Sequence, residues 1–137
     1  MSNPPTFMAS SLFVALGGGI GAWLRYLASR LTIQTLGPVA ASAFPWATLA
    51  VNLIGSMVMG LLAGWLARYG HGGEQWRLLL GVGVLGGFTT FSAFSLELVT
   101  MINRGATGTA LLYALVSVAG GVVGLFLGLN LMRMVTA

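Results

Sequence analysis

The chain has 137 residues, of which six are Arg, two are acidic and one is His, with no Lys and no Cys. Charged residues make up 6% and hydrophobic residues 57%, where a soluble domain carries roughly 25% charge. Too few charges exist to coat a water-facing surface, and the hydrophobicity is too high for disorder. The absence of Cys removes disulfides, thiol catalysis and thiolate metal sites. One His and two carboxylates leave little for acid–base chemistry, and no nucleophile–base pair is visible, so an enzyme is not expected. The net charge of +4 comes from scattered Arg with no basic stripe, which argues against nucleic acid as a partner. The composition describes an all-α integral membrane protein surrounded by lipid.

A spanning helix needs about 20 apolar residues. Charges are absent from residues 1–24, 31–67, 78–96 and 105–132. Four helices are predicted, over residues 7–29, 46–69, 78–102 and 109–133, forming a single transmembrane domain. The first span has no basic segment ahead of it, and the small-residue triplet at Ala41–Ala43 lies far from an apolar stretch of signal type, so the span reads as a retained helix. The first connection, through residues 32–45, carries Gly37-Pro38, a helix-ending pair. The second, at residues 70–73, and the third, at residues 103–108, are short and Gly-marked, so successive helices run antiparallel. Trp23, Tyr26, Trp46, Trp65, Tyr69 and Trp76 fall mainly near span ends, as an interfacial aromatic belt does.

Orientation follows the Arg near span ends. Arg25, Arg30 and Arg104 fall on the side opposite the N-terminus, and Arg68, Arg77 and Arg133 on the same side as it. Three against three gives no bias. Such a chain is expected to insert both ways, and opposed copies could then pair as an antiparallel dimer, an inverted repeat made from two chains. The alternative is that the N-terminal amine or a partly buried Arg25 breaks the tie and gives one orientation. Five GxxxG spacings (Gly17/Gly21, Gly60/Gly64, Gly83/Gly87, Gly120/Gly124 and Gly124/Gly128) permit close helix approach, most of it within one chain.

The third span carries GGFTTFSAFSLE over residues 86–97. Adjacent Gly residues weaken a helix, and Thr and Ser compete for its backbone hydrogen bonds. A break at the bilayer midplane is therefore predicted, which survives there only inside protein or beside a cavity. Phe91 and Phe94, three apart, share a helix face, and Ser92 and Ser95 share the next. Two Phe at that spacing pack in a core, or present positively polarised ring edges to a small anion. Asn52 in the second span brings two N–H donors. Glu97 is costly at depth and must be solvated near the interface or held by Thr and Ser donors. Tyr113 and Ser117, four apart, place hydroxyls on one stripe of the fourth helix. Arg25 is the basic group nearest an entrance. Neutral donors of this kind suit a small anion or a small solute, and the residues alone do not choose between them.

Three motifs in order, GGGIGAWLRY (17–26), ATLAVNLIGS (47–56) and GGFTTFSAFSLE (86–97), resemble those of the small bacterial fluoride channels called Fluc or CrcB. The resemblance covers almost the whole chain. It implies a dual-topology homodimer in the bacterial inner membrane with two antiparallel pores, which exports fluoride passively and protects the cytoplasm. It assigns Phe91, Phe94, Asn52, Ser92, Tyr113 and Ser117 to the fluoride pore, with Thr48 and Glu97 as further polar positions and Arg25 at the vestibule. It gives Gly86 and Thr89 the backbone carbonyls that hold a central structural Na⁺. Two positions depart from the family pattern: Ala93 stands where Thr is usual, and Gly121 where relatives can carry a hydroxyl.

Two rivals remain. A small multidrug exporter needs a carboxylate in its first helix, and none is present. A non-transporting membrane subunit does not account for the clustered midspan break.

Overall fold

The structure is a computed structural model that describes residues 5–69 and 73–135. The described residues form helices joined by short non-helical stretches, with four helices or helix pairs long and apolar enough to cross a membrane. Of the expected second connection, residues 70–72 lie outside the described set and Gly73 already begins the third span.

Helix α1 runs over Phe7–Ala43. Thr6 caps it, its hydroxyl accepting from the Ala9 N–H at 3.3 Å. The span expected to stop at residue 29 continues past Arg25 and Arg30 as far as Gly37. There φ of 80° and ψ of 160° break the helical path, a conformation that suits Gly because no Cβ opposes it. Pro38 then restarts a short helical segment, where its missing N–H is no loss. The charges at residues 25 and 30 did not end the helix because Arg is a good helix former whose long side chain reaches an interface.

Helix α2 covers Trp46–Tyr69, as the sequence indicated. The third span is longer than expected and is broken into two helices. Its first part, α3 (residues 73–88), opens with Gly73–Trp76, becomes π-helical over Arg77–Leu85 and closes with Gly86–Phe88. The wider coil was not foreseen: the Gly86 N–H reaches back to the carbonyls of Gly81 and Gly83. Its second part, α4, covers Phe91–Asn103. Helix α5 covers Thr107–Val135, extending past the expected 109–133 at both ends. Between α4 and α5 the chain turns at Gly105, φ 79°. The Ala106 N–H bonds to the Met101 carbonyl and the Gly105 N–H to the Ile102 carbonyl, each at 2.9 Å. That pairing is the Schellman arrangement, which satisfies the last carbonyls of a helix.

Helix α1 packs on α3, and α2 packs on α5. Both contacts are backbone on backbone. A Cβ on Gly83 would stand 2.9 Å from the Gly17 Cα, and one on Gly87 would stand 2.5 Å from the Gly18 carbonyl oxygen. A Cβ on Gly21 would overlap the Val84 carbonyl, one on Gly60 the Leu125 carbonyl, and one on Gly128 the Met57 carbonyl. The GxxxG spacings thus serve packing within the chain, the commoner use of such pairs.

The helix ends sort by side. The Arg104 guanidinium donates to the Ser42 carbonyl at 3.3 Å, joining the far ends of α1 and α4. At the other end, Trp65 of α2 and Trp76 of α3 meet edge to face at 6.4 Å between ring centres. Arg104 belongs to the first end and Arg68, Arg77 and Arg133 to the second, while Arg25 and Arg30 lie within α1, Arg25 lining a cavity that reaches Thr90. Among the described residues a small apolar cluster of Leu49, Phe94, Met101, Ala110 and Tyr113 is buried, and Val51 and Leu85 are buried as well. Many large apolar side chains, among them Leu96, Leu111, Leu115 and Phe126, point outward, as they do in a chain surrounded by lipid.

Candidate functional site

The break lies at Thr89-Thr90, two residues beyond the Gly pair. Both residues have extended ψ, 159° and 124°. Gly86 and Gly87 themselves stay helical, because Gly87 is needed for contact with α1. Two hydrogen bonds from one side chain seal the break. The Asn52 amide donates to the Thr90 carbonyl at 3.0 Å, and its oxygen accepts from the Thr90 N–H at 2.8 Å. The Thr90 hydroxyl caps α4 by accepting from the Ala93 N–H at 3.2 Å. In a continuous α-helix those two N–H groups would serve the carbonyls four residues earlier, Gly86 and Thr89. Their diversion leaves these two carbonyls without their helical donors.

Farther along α4, Glu97 is held between two other helices. Thr48 of α2 donates to one carboxylate oxygen at 2.6 Å, and Tyr113 of α5 donates to the other at 2.7 Å. The expectation of Thr and Ser donors is corrected here. The second donor is the Tyr113 hydroxyl, while the Ser95 hydroxyl bonds back to the Phe91 carbonyl at 2.9 Å. The Tyr113 ring is fully buried between Phe94, 5.2 Å away, and Phe44, which meets it edge-on at 5.4 Å.

The expected pore residues separate into two groups around Thr90. A cavity of about 290 Å³ is lined by Asn52, Thr90, Phe91, Phe94 and Ser117, with Gly55, Met59 and other small or apolar neighbours. No charged residue lines it. The Ser117 hydroxyl is buried there and makes no well-formed hydrogen bond among the described residues. A second cavity, about 560 Å³, is lined by Arg25, Thr48, Thr90, Ser92 and Glu97. Tyr113 lines neither and donates to Glu97 instead. Phe91 and Phe94 are neighbours, their ring centres 5.7 Å apart. Yet Phe94 is 8% exposed and Phe91 79%, so one ring faces the core and the other faces out of the chain.

The sequence reading did not single out Thr90 as a site residue, although it lines both cavities. The available signal was a Thr immediately before an apolar helical run, which is an N-cap pattern. Phe44 was missed as well, since its partner Tyr113 is remote in sequence. Among the described residues no group of three His, Cys, Asp or Glu could hold a metal. A cation at this site would rely on backbone oxygens.

Fold and site together define an α-helical, multi-pass membrane protein whose third span is broken around an uncharged polar cavity. The profile described as "CrcB-like protein, Camphor Resistance (CrcB)" matches residues 12–129, and the chain belongs to that family. A relative from Novosphingobium aromaticivorans, named Fluoride-specific ion channel FluC, is 62% identical over 126 residues, 92% of this chain and 98% of its own length. Relatives of the same name from Erythrobacter litoralis and Phenylobacterium zucineum are each 53% identical, over 135 and 131 residues. The alignments cover 98% and 95% of this chain, and 98% and 100% of those relatives.

Proposed function

We infer that this chain is a fluoride-specific ion channel of the bacterial inner membrane, which lets fluoride leave the cytoplasm down its gradient. The relatives' shared name supports the ion. One structural observation supports the mechanism: a midspan cavity with no charged lining, where the buried Ser117 hydroxyl, the Asn52 amide and the Phe94 ring meet beside a sealed helix break. Neutral donors replace part of the water shell of a small anion without trapping it, and conduction needs binding weak enough for the ion to leave. Ring edges of Phe91 and Phe94 add electropositive contact. Arg25 in the second cavity attracts the anion at the vestibule, where Thr48 and Ser92 offer further hydroxyls. Tyr113 and Thr48 occupy both Glu97 oxygens, which spreads that carboxylate's negative charge.

The working unit in this reading is an antiparallel homodimer with two pores. The equal division of Arg favours insertion in both orientations. In addition, Phe91 and Gly86 are exposed at the break of the single chain, and irregular backbone at midspan requires protein or a cavity against it. An inverted second copy supplies that cover and completes the wall beside Phe91. The carbonyls of Gly86 and Thr89, deprived of their helical donors, would hold a structural Na⁺ on the two-fold axis, two oxygens from each copy. The oxygen donors suit a hard cation, whose contribution is positive charge at the dimer centre.

The test is anion efflux from liposomes containing the purified protein, followed with fluoride and chloride electrodes. Fluoride release far faster than chloride release is the expected result. Equal fluxes, or no fluoride flux above protein-free liposomes, would reject the assignment.

A further inference from the structure

We propose that Arg104 is a second anion-collecting residue, standing at the mouth of a water-filled route that reaches Glu97 from the α1/α4 end of the chain. This rests on the channel reading above.

A third cavity, about 240 Å³, lies between α4 and the short segment after the Gly37 kink. Glu97, Thr100, Met101 and Arg104 line it, at helical spacings of three, four and seven that place them on one face of α4. Ser42 and Pro45 line the opposite wall. The Arg104 bond to the Ser42 carbonyl crosses the gap between the walls. Glu97 and Leu96 also line the Arg25 cavity, so Glu97 stands between two concavities, each with an arginine. The charged groups lining the pair are Arg25, Arg104 and Glu97. Two guanidinium groups against one carboxylate leave this end formally positive by one charge, with the negative group farther in. A narrow opening with low-dielectric walls concentrates such a field and raises the local anion concentration.

Two experiments decide the matter. The first compares initial fluoride efflux of wild type, Arg104→Gln and Arg104→Lys. Gln keeps a donor for the Ser42 carbonyl but loses the charge, and Lys keeps the charge. The expected result at ~10 mM ionic strength is a two- to fivefold loss for Arg104→Gln, little loss for Arg104→Lys, and near-recovery of Arg104→Gln at ~300 mM, where screening is short-ranged. A deficit of equal size at both ionic strengths, or none at either, overturns the collecting role. Failure of the wild type to conduct would instead reject the channel reading itself.

The second uses the absence of native cysteine. Thr100→Cys and its neighbour Val99→Cys are exposed in liposomes to a negatively charged methanethiosulfonate, and the added mass is measured. Val99 is exposed and does not line the cavity. A thiol in hydrocarbon stays protonated and unreactive, whereas one in a water path reacts as the thiolate. Labelling of Thr100→Cys alone supports the route. Labelling of both, of neither, or of Val99→Cys alone overturns it.

Discussion

Replacing Asn52 with Leu removes both bonds that seal the Thr89-Thr90 break while keeping the branched four-atom shape of the side chain. The Thr90 N–H and C=O then face an apolar neighbour at mid-membrane depth. Unsatisfied buried polar groups cost about 1–3 kcal/mol each, which would give ~2–6 kcal/mol for the pair. Hydrogen bonds between membrane helices measure lower, about 0.6 kcal/mol on average and ~1.7 at most, because the unfolded chain finds partners in the bilayer. The two groups here are backbone atoms at a break, with no helical partner to return to, so the upper membrane value for each is the better guide. The expected loss is about 2–4 kcal/mol, together with loss of fluoride flux, since one cavity donor disappears. Reversible unfolding in mixed micelles measures the first and liposome efflux the second. A Leu variant within about 0.5 kcal/mol of wild type and conducting normally would refute both the sealing role and the donor role of Asn52.

Three further outcomes are expected. Gly21→Ala, whose new methyl overlaps the Val84 carbonyl, should lower stability by about 1–3 kcal/mol, whereas Gly19→Ala, with nothing within 4 Å, should be neutral or slightly stabilising; thermal aggregation in detergent compares them. Phe94→Ile and Phe91→Ile should both reduce fluoride flux, but only Phe94→Ile should destabilise the single chain, because Phe94 is buried and Phe91 is not; unchanged flux in both would dismiss the ring-edge contact. Several Lys added at one end should bias insertion, and the resulting uniformly oriented population should fail to conduct; normal conduction would reject the antiparallel pair.

Much of this architecture is readable from residues, and the failures have physical causes. The α2 limits and the existence of a midspan break follow from apolar run lengths and from the Gly and Thr cluster. Which residues of that cluster leave the helix does not, because Gly86-Gly87 looks like the weakest point of an isolated helix. Tertiary contact reverses that: Gly87 fits against α1, and Asn52, remote in sequence, stabilises Thr90 in extended form. The length of α1 was misread because charge was taken as a boundary, although Arg25 and Arg30 sit comfortably in a helix. The π-helical stretch at Arg77–Leu85 leaves no mark in a run of Leu, Val and Gly, where a period near four serves either coil. The polar site residues were individually visible; their division into two cavities on either side of Thr90 depends on helix rotation that spacing alone does not specify.

The glycine contacts that fasten α1 to α3 and α2 to α5 also bear on how an ion would cross. Where main chain rests directly on main chain, no flexible side group intervenes to take up slack, and one strut does not slide past another without collision. A passage framed this way behaves as a fixed orifice rather than a door. Its throughput should vary with temperature about as the mobility of ions in water does, with no steep component from a moving part.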